Sequence, residues 1–358
     1  MNTKKTVLTV AGAGVLAGVI GLGALAMPAG ANEPPPSLSK ISADELVQSV
    51  ATAKIPALSG KVQASENLGL PIKLLQDGLG SASVYADGQG HYRATLPSKA
   101  SEKTYIYDGT TFWSWDSAKN TVTKSTPNQT PDKLPNGEDP ATFGKDLLSL
   151  VRQYSDVKVD GTARVASRPA YELVVTPKPT ERTLLRELRL AVDSETRLPL
   201  RAEVLANGQS DPALKVEFSE FKVGAQDPNL FKFTPPQGAT VKEHSDADKP
   251  SKADMNKGIG DLLTSLHAQT VGDGWDTTLV AKLPGDLSGM LGKAGDGRGK
   301  GFDMTALLKQ FGKQVSGPYG TGYLFTTKVA TALVTDDGRV AVGAVPEQVL
   351  VEALGQVK

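Results

Sequence analysis

Between Tyr105 and Pro236 the sequence passes through one short alternating segment after another, walled with aromatic residues and punctuated by turn residues. A chain written this way is committed to antiparallel sheet, because such short connections join only neighbouring strands that run in opposite directions. The stretch opens with Tyr105, Tyr107, Phe112, Trp113 and Trp115 around Asp108-Gly109, and it closes with Phe231, Phe233, Pro235, Pro236 and Gly238. Asp108-Gly109 predicts a hairpin closed by a two-residue type I′ turn, since that turn needs positive φ and glycine supplies it at no steric cost. Alternation then sets Tyr105 and Tyr107 on one face of one strand, and Trp113 and Trp115 on one face of the next. Aromatic area on this scale either covers a core or lines an apolar cavity.

The first residues predict an export signal and not part of the fold. Lys4 and Lys5 form a short basic region, Thr6 to Met27 carries no charge, and Ala29 and Ala31 are the small residues that a signal peptidase reads. The expectation is a signal peptide over 1–31, with the mature chain beginning at Asn32. The competing reading is an uncleaved membrane anchor, because the apolar run is long enough to span a bilayer. Either way the rest of the chain works outside the cytoplasm, in a periplasm or cell envelope.

There is no cysteine. That excludes a lipid-modified N-terminal cysteine, thiolate metal sites and cysteine nucleophiles, and a chain of 358 residues has core enough to fold without disulfides. The 39 Lys and Arg balance the 39 Asp and Glu, and loss of Lys4 and Lys5 with the signal leaves two more acids than bases. A near-neutral chain with interspersed signs has no electrostatic case for nucleic acid.

A Pro-rich tether, 32–40, leads into a helix that begins at Ser42 with a capping box to Glu45. From Ser59 the pattern changes to period two, giving strands over 60–68, 81–87, 91–96, 104–107, 111–115 and 121–125. A Pro-rich loop over 126–139 and an amphipathic helix over 140–153, with Phe143 on its apolar side, interrupt them. Strands resume over 157–165, 170–177, 184–193, 200–206, 215–222 and 231–234. Residues 243–254 are polar and Pro-broken, and they predict a linker between a first domain over 41–242 and a smaller α+β domain over 255–358. In that smaller unit the pattern predicts a helix over 255–267, strands near 275–283, a Gly-rich loop over 292–301 and a helix over 304–314. Strands over 322–334 and 340–345 and a final helix from Pro346 complete it.

Nothing in this inventory carries catalysis, and no catalytic residue is assigned. The histidines are His91, His244 and His267; none lies near a serine in nucleophile spacing, and there is no Gly-x-Ser-x-Gly elbow. Asp336-Asp337 sits at a turn and Asp44-Glu45 in the first turn of a helix, where the dipole favours them. His244, Asp246 and Asp248 make a poor metal set in a solvated linker, and the loop 292–301 lacks the spacing of a phosphate-binding loop. The expectation is therefore no enzyme, no metal and no cofactor.

The hairpin from Tyr105 to Thr123, the segment Leu188–Asp193 followed by Leu198, Pro199, Leu200 and Arg201, and the closing run Phe231–Pro236 with Gly238 and Val241 together resemble the LolA/LolB lipoprotein-carrier superfamily. The order and spacing of these patches carry the likeness over residues of about 40 to 242. Trp275, and the run Val334–Pro346 leading into a helix, are similar to the small second domain of the MucB/RseB periplasmic regulators, which also have a LolA-like first domain. The resemblance implies an α+β fold: an antiparallel incomplete β-barrel lidded by helices, plus a smaller α+β domain. It also implies that the concave face binds a lipid or the acyl chains of a lipoprotein, for transport or sensing, with peripheral contact to a membrane surface. The alternative it implies is an envelope-stress regulator that binds a membrane-anchored anti-sigma factor through its C-terminal domain. A third class, a structural envelope protein, needs no ligand. Trp113 and Trp115 are the first choice for the ligand pocket, Tyr105 and Tyr107 the next, and Phe112, Tyr92 and Phe143 complete the set.

Overall fold

A computed structural model describes residues 35–69, 81–98, 100–126, 140–244, 268–282 and 312–356. The export signal, the body of the 243–254 linker, the helix expected over 255–267 and the Gly-rich loop 292–301 lie outside the described residues.

The first unit is one open sheet of twelve strands: β1 (Ala57–Glu66), β2 (Ala82–Asp87), β3 (Tyr92–Pro97), β4 (Glu102–Tyr107), β5 (Phe112–Asp116), β6 (Thr121–Ser125), β7 (Ser155–Val165), β8 (Arg168–Pro177), β9 (Leu185–Asp193), β10 (Pro199–Ala206), β11 (Leu214–Val223) and β12 (Thr240–His244). They stand in the order β12-β6-β5-β4-β3-β2-β1-β11-β10-β9-β8-β7. Two runs of hairpins, β1 to β6 and β7 to β11, are therefore stitched together by β1 and β11. The architecture is α+β, an antiparallel sheet that stays open, as the sequence predicts.

Register follows from which side chains each strand must bury. Charged residues recur at alternate positions along β9, β10 and β11, and the pairing sets Arg201 opposite Glu217, Glu203 opposite Lys215 and Arg189 opposite Glu203. Opposite charges facing across strands stabilise this register and penalise a one-residue slip. Burial raises the Glu203 carboxyl above its ordinary range, against the pull of Arg201 and Lys215.

Two helices lie against this sheet. Helix α1 (Ala43–Ala51) starts at Ser42, whose hydroxyl accepts from the Glu45 N–H while the Glu45 carboxylate accepts from the Ser42 N–H at 2.9 Å. Its Ala43 and Leu46 pack with Tyr171, Leu173 and Val192. Helix α2 (Pro140–Tyr154) is tied to it by Arg152, which donates two parallel hydrogen bonds of 2.8 Å to Asp44.

The second unit is a six-stranded antiparallel sheet: β13 (Gln269–Val271), β14 (Thr278–Lys282), β15 (Lys313–Gly317), β16 (Gly320–Thr326), β17 (Thr331–Thr335) and β18 (Arg339–Gly343), in the order β13-β14-β18-β17-β16-β15. Helix α3 (Glu347–Gln356) closes one face, with Val349, Leu350, Ala353 and Leu354 buried on Val280, Leu324, Leu333 and Ala341.

Several expectations need correction. Residues 231–234 are not a strand: Pro228–Phe231 is a 3₁₀ turn, capped by Asp227, and Phe231 is buried. Pro235 and Pro236 have no N–H to give a ladder, so the chain crosses the sheet as an irregular strap. The closing strand is β12, and it pairs with β6 in parallel, an exception to the antiparallel rule. The Asp108 hairpin exists, but its loop holds four residues, since Tyr107 pairs with Phe112. Of its two expected turn residues only Gly109 has positive φ, at 90°, so the turn is not type I′. In the second unit Lys313 and Gln314 belong to β15 and not to a helix, residues 304–311 being outside the described set. Trp275 sits in a 3₁₀ turn ahead of β14, and 322–334 divides between β16 and β17.

The two sheets touch. The Trp275 N–H donates to Glu181 at 2.8 Å and its indole to the Ser155 hydroxyl at 2.7 Å, while the Leu184 N–H and Thr183 hydroxyl both donate to the Ala344 carbonyl. Glu243 and His244, expected as the start of the linker, belong to β12, so limited proteolysis is expected to cut first within 245–254, where the sequence is most polar. Because of these contacts the two fragments are expected to co-elute on gel filtration under native conditions. First cleavage inside either sheet would contradict the linker assignment.

Candidate functional site

The site grows out of strands β1 to β5. Their pairing places Leu58 opposite Ala86, Ala86 opposite Tyr92, Tyr92 opposite Tyr107 and Tyr107 opposite Phe112. Directly paired residues share a face, so one continuous apolar band runs across five strands. One step along the strands, Val84, Ala94 and Tyr105 extend it. The band lines a cavity of about 700 Å³ whose walls are almost wholly apolar. Leu198, from the turn between β9 and β10, Pro199, the first residue of β10, and Phe218 from β11 form the opposing wall. The size lies within the ~300–1,000 Å³ of typical small-ligand pockets.

A bulge and a glycine shape that opposing wall. Between Lys61 and Val62 the β1–β11 register shifts, so that Phe218 faces Val62 while Phe221 faces Gly60. A Cβ at Gly60 would stand 2.7 Å from the Phe218 ring, so only glycine allows the ring to lie across β1. Phe218 then meets Phe221 edge to face, with centroids 5.1 Å apart.

The aromatic residues singled out from sequence divide between the two faces. Tyr92, Tyr105, Tyr107 and Phe112 line the cavity, with the Tyr105 and Phe112 rings stacked at 6.2 Å. Trp113 pairs with Ile106 and Trp115 with Thr104, so both tryptophans lie on the other face. There Trp113 packs on Phe233 of the strap at 5.5 Å, Lys124 sits 5.6 Å from its ring, and its indole N–H donates to Asp108 at 3.0 Å. The strap is held on this face by Arg93, which donates to the Leu230 carbonyl, and by Phe231 against His91. The Phe143 side chain lies outside the described residues. Ile55, Leu58, Val84, Leu198 and Phe218 line the cavity beyond the residues that the sequence singles out. Leu58 and Val84 are discoverable from their strand alternation, whereas Phe218 is hidden by the bulge.

The polar groups near the cavity are occupied in turns. Burial pushes the Asp108 carboxyl up, but the Trp113 indole and the N–H groups of Thr111 and Thr110 outweigh it and hold it below its ordinary range. Asp87 behaves alike: burial raises it, and the Gln89 N–H and His91 more than compensate. Among the described residues no group of three side chains is placed to hold a metal ion, and no helix is long and apolar enough to cross a membrane.

An open sheet with an apolar cavity and two covering helices invites comparison with known folds. Residues 108–244 match the family model of the MucB/RseB N-terminal domain. The likeness read from the sequence therefore stands, and it covers much of the first sheet. No curated relative matches the sequence. Solved structures that it resembles include the MucA/MucB complex of Pseudomonas aeruginosa, at 16% identity over 87% of this chain and 96% of that one, with a TM-score of 0.43. An uncharacterized conserved protein from Thermus thermophilus is 16% identical over 56% of this chain and 99% of that one, TM-score 0.35. The LolA superfamily protein NE2245 from Nitrosomonas europaea is 11% identical over 54% and 99% respectively, TM-score 0.24.

Proposed function

We propose that this protein is an exported, non-enzymatic binding protein that holds an acyl chain of a lipid or lipoprotein in the cavity of its first sheet. The observation that carries this reading is the cavity itself, about 700 Å³ of space with apolar walls where a closed core would be filled. Binding there is passive. Each methylene moved from water into the cavity contributes about 0.8 kcal/mol, so a chain of about a dozen carbons is held without any charged contact. Tyr92, Tyr105, Tyr107 and Phe112 are the wall against which the chain lies, with Leu58, Val84, Leu198 and Phe218 around it.

Ala94 lies on the cavity wall opposite Tyr105 in the strand pairing. Ala94→Trp fills space that is already empty. It is expected to weaken binding of a fluorescent fatty acid by about tenfold or more, with the unfolding midpoint nearly unchanged. Undiminished binding by this variant, or no binding by the wild type, would refute the assignment.

A second reading is favoured by the family match over 108–244. In it the protein is an envelope regulator of the MucB/RseB kind, with the second sheet contributing the surface for a membrane-anchored protein partner. Capture of a membrane protein through residues 255–358, with no fatty acid bound by the first sheet, would favour it over a carrier.

A further inference from the structure

Large apolar residues that stand exposed are few among the described residues: Ile55, Phe112, Val223, Val241 and Val342. Three of them gather at one end of the first sheet. Ile55 lies two residues before β1, Phe112 opens β5, and Val223 closes β11, opposite Leu58 in the β1 pairing. The strands between β1 and β5 turn at this same end, through residues 88–91 and 108–111. Ile55 and Phe112 are 43% and 39% exposed and also line the cavity, so the apolar wall runs out to solvent over them. Val223, 47% exposed, continues that lip on the β11 side.

Two lysines flank the lip. Lys54 adjoins Ile55 and Lys222 adjoins Val223, both exposed. Asp87 and Asp108, at the two turns at this end, are engaged by local donors, and Asp227 beyond Val223 accepts from the Asn229 N–H. Asp87 accepts from the Gln89 N–H, the His91 N–H and the His91 ring, and Asp108 accepts from the N–H groups of Thr110 and Thr111 and from Trp113. Tyr107, paired with Phe112, presents a ring with a hydroxyl that donates to the Gly109 carbonyl at 3.0 Å. Apolar tips flanked by lysines and backed by a tyrosine suit the boundary between acyl chains and anionic headgroups.

We infer that the lip formed by Ile55, Phe112 and Val223 docks on an anionic bilayer surface, so that the cavity opens directly onto the acyl layer. This rests on the acyl-binding reading of the cavity. It adds a route: a chain passing from bilayer to cavity across the lip never has to cross water, which would cost about the full transfer free energy of its buried methylenes.

The test uses the exported chain as its host processes it, and vesicles of phosphatidylcholine with or without an equal part of phosphatidylglycerol. The wild type is expected to co-sediment with the mixed vesicles and much less with phosphatidylcholine alone, and added salt should release it. Val223→Asp, and separately the pair Lys54→Glu with Lys222→Glu, should each reduce vesicle partitioning by about tenfold or more. None of these residues touches the cavity, so a fluorescent fatty acid offered in solution should bind both variants within about twofold of wild type, which also shows that they fold. Absence of wild-type association with the mixed vesicles, or undiminished association by both variants, overturns the docking surface while leaving the cavity assignment standing. Loss of fatty-acid binding in the wild type with vesicle association intact does the reverse: it removes the cavity reading and retains the lip as a membrane contact.

Discussion

Asp193→Ala is expected to destabilise the protein by about 3–5 kcal/mol, the cost of stripping one partner from a buried ion pair. Asp193 is fully buried at the end of β9. Its carboxylate accepts from Arg168 at 2.6 and 2.9 Å, from the Thr196 N–H and hydroxyl at 2.7 and 2.8 Å, and from the Glu195 N–H at 3.2 Å. Without it Arg168, whose side chain is 19% exposed, keeps only Glu195 and the Phe221 ring as partners. The turn from Ser194 to Arg197 also loses its anchor, and that turn delivers Leu198 and Pro199 to the cavity wall.

The same carboxylate sets a pH dependence. Burial works to raise its pKa, but the hydrogen bonds from Arg168 and Thr196 prevail and hold it below the ordinary carboxylate range. A depressed native pKa means that the stabilisation is complete above the unfolded pKa, about 3.9, and is lost as pH falls through the native value. Asp193→Asn keeps the shape without the charge. Its deficit relative to wild type, read from denaturant midpoints, is expected to be constant near neutrality and to shrink below about pH 4. A deficit that stays the same at strongly acid pH would show that packing, and not the ion pair, is responsible.

Trp113→Ala is expected to cost about 3 kcal/mol, at the low end for an aromatic truncated in a packed site, while leaving fatty-acid affinity within about twofold. The reason is the face on which it lies. Trp113 packs on Phe233 and bonds to Asp108, so its removal loosens both the strap and the β4–β5 turn. It does not border the cavity. Tyr105→Ala should show the opposite balance, since a residue that already faces open space leaves less new void behind and more lost ligand contact. Denaturant unfolding and a fluorescent fatty-acid titration on the two variants separate these outcomes. Equal losses in both measurements for both variants would mean that the two faces are not independent.

Much of this fold is legible along the chain, because the forces that place its elements are local. The Ser42–Glu45 box fixes the start of α1 with two hydrogen bonds between residues three apart, and period-two burial marks strands such as β6, whose bounds, Thr121–Ser125, agree with the sequence pattern. Glycine and aspartate place the β4–β5 turn to within a residue. Alternation also divides the aromatics correctly into two sets, Tyr105 with Tyr107 and Trp113 with Trp115, since that division needs only the geometry of a single strand.

What alternation does not contain is the identity of the side that faces open space. That is decided by segments distant in sequence: the strap carrying Phe231 and Phe233 lies over the tryptophan face, and the 194–198 turn with Pro199 and Phe218 stands across from the tyrosine face. Both faces carry large aromatic residues in sequence. The strap itself reads as a strand because Phe231 and Phe233 alternate, whereas two prolines and the demand to bury Phe231 over β3 override that local pattern. The sequence determined which residues share a face; only long-range packing, which no local period encodes, determined which face was filled and which was left open as a cavity.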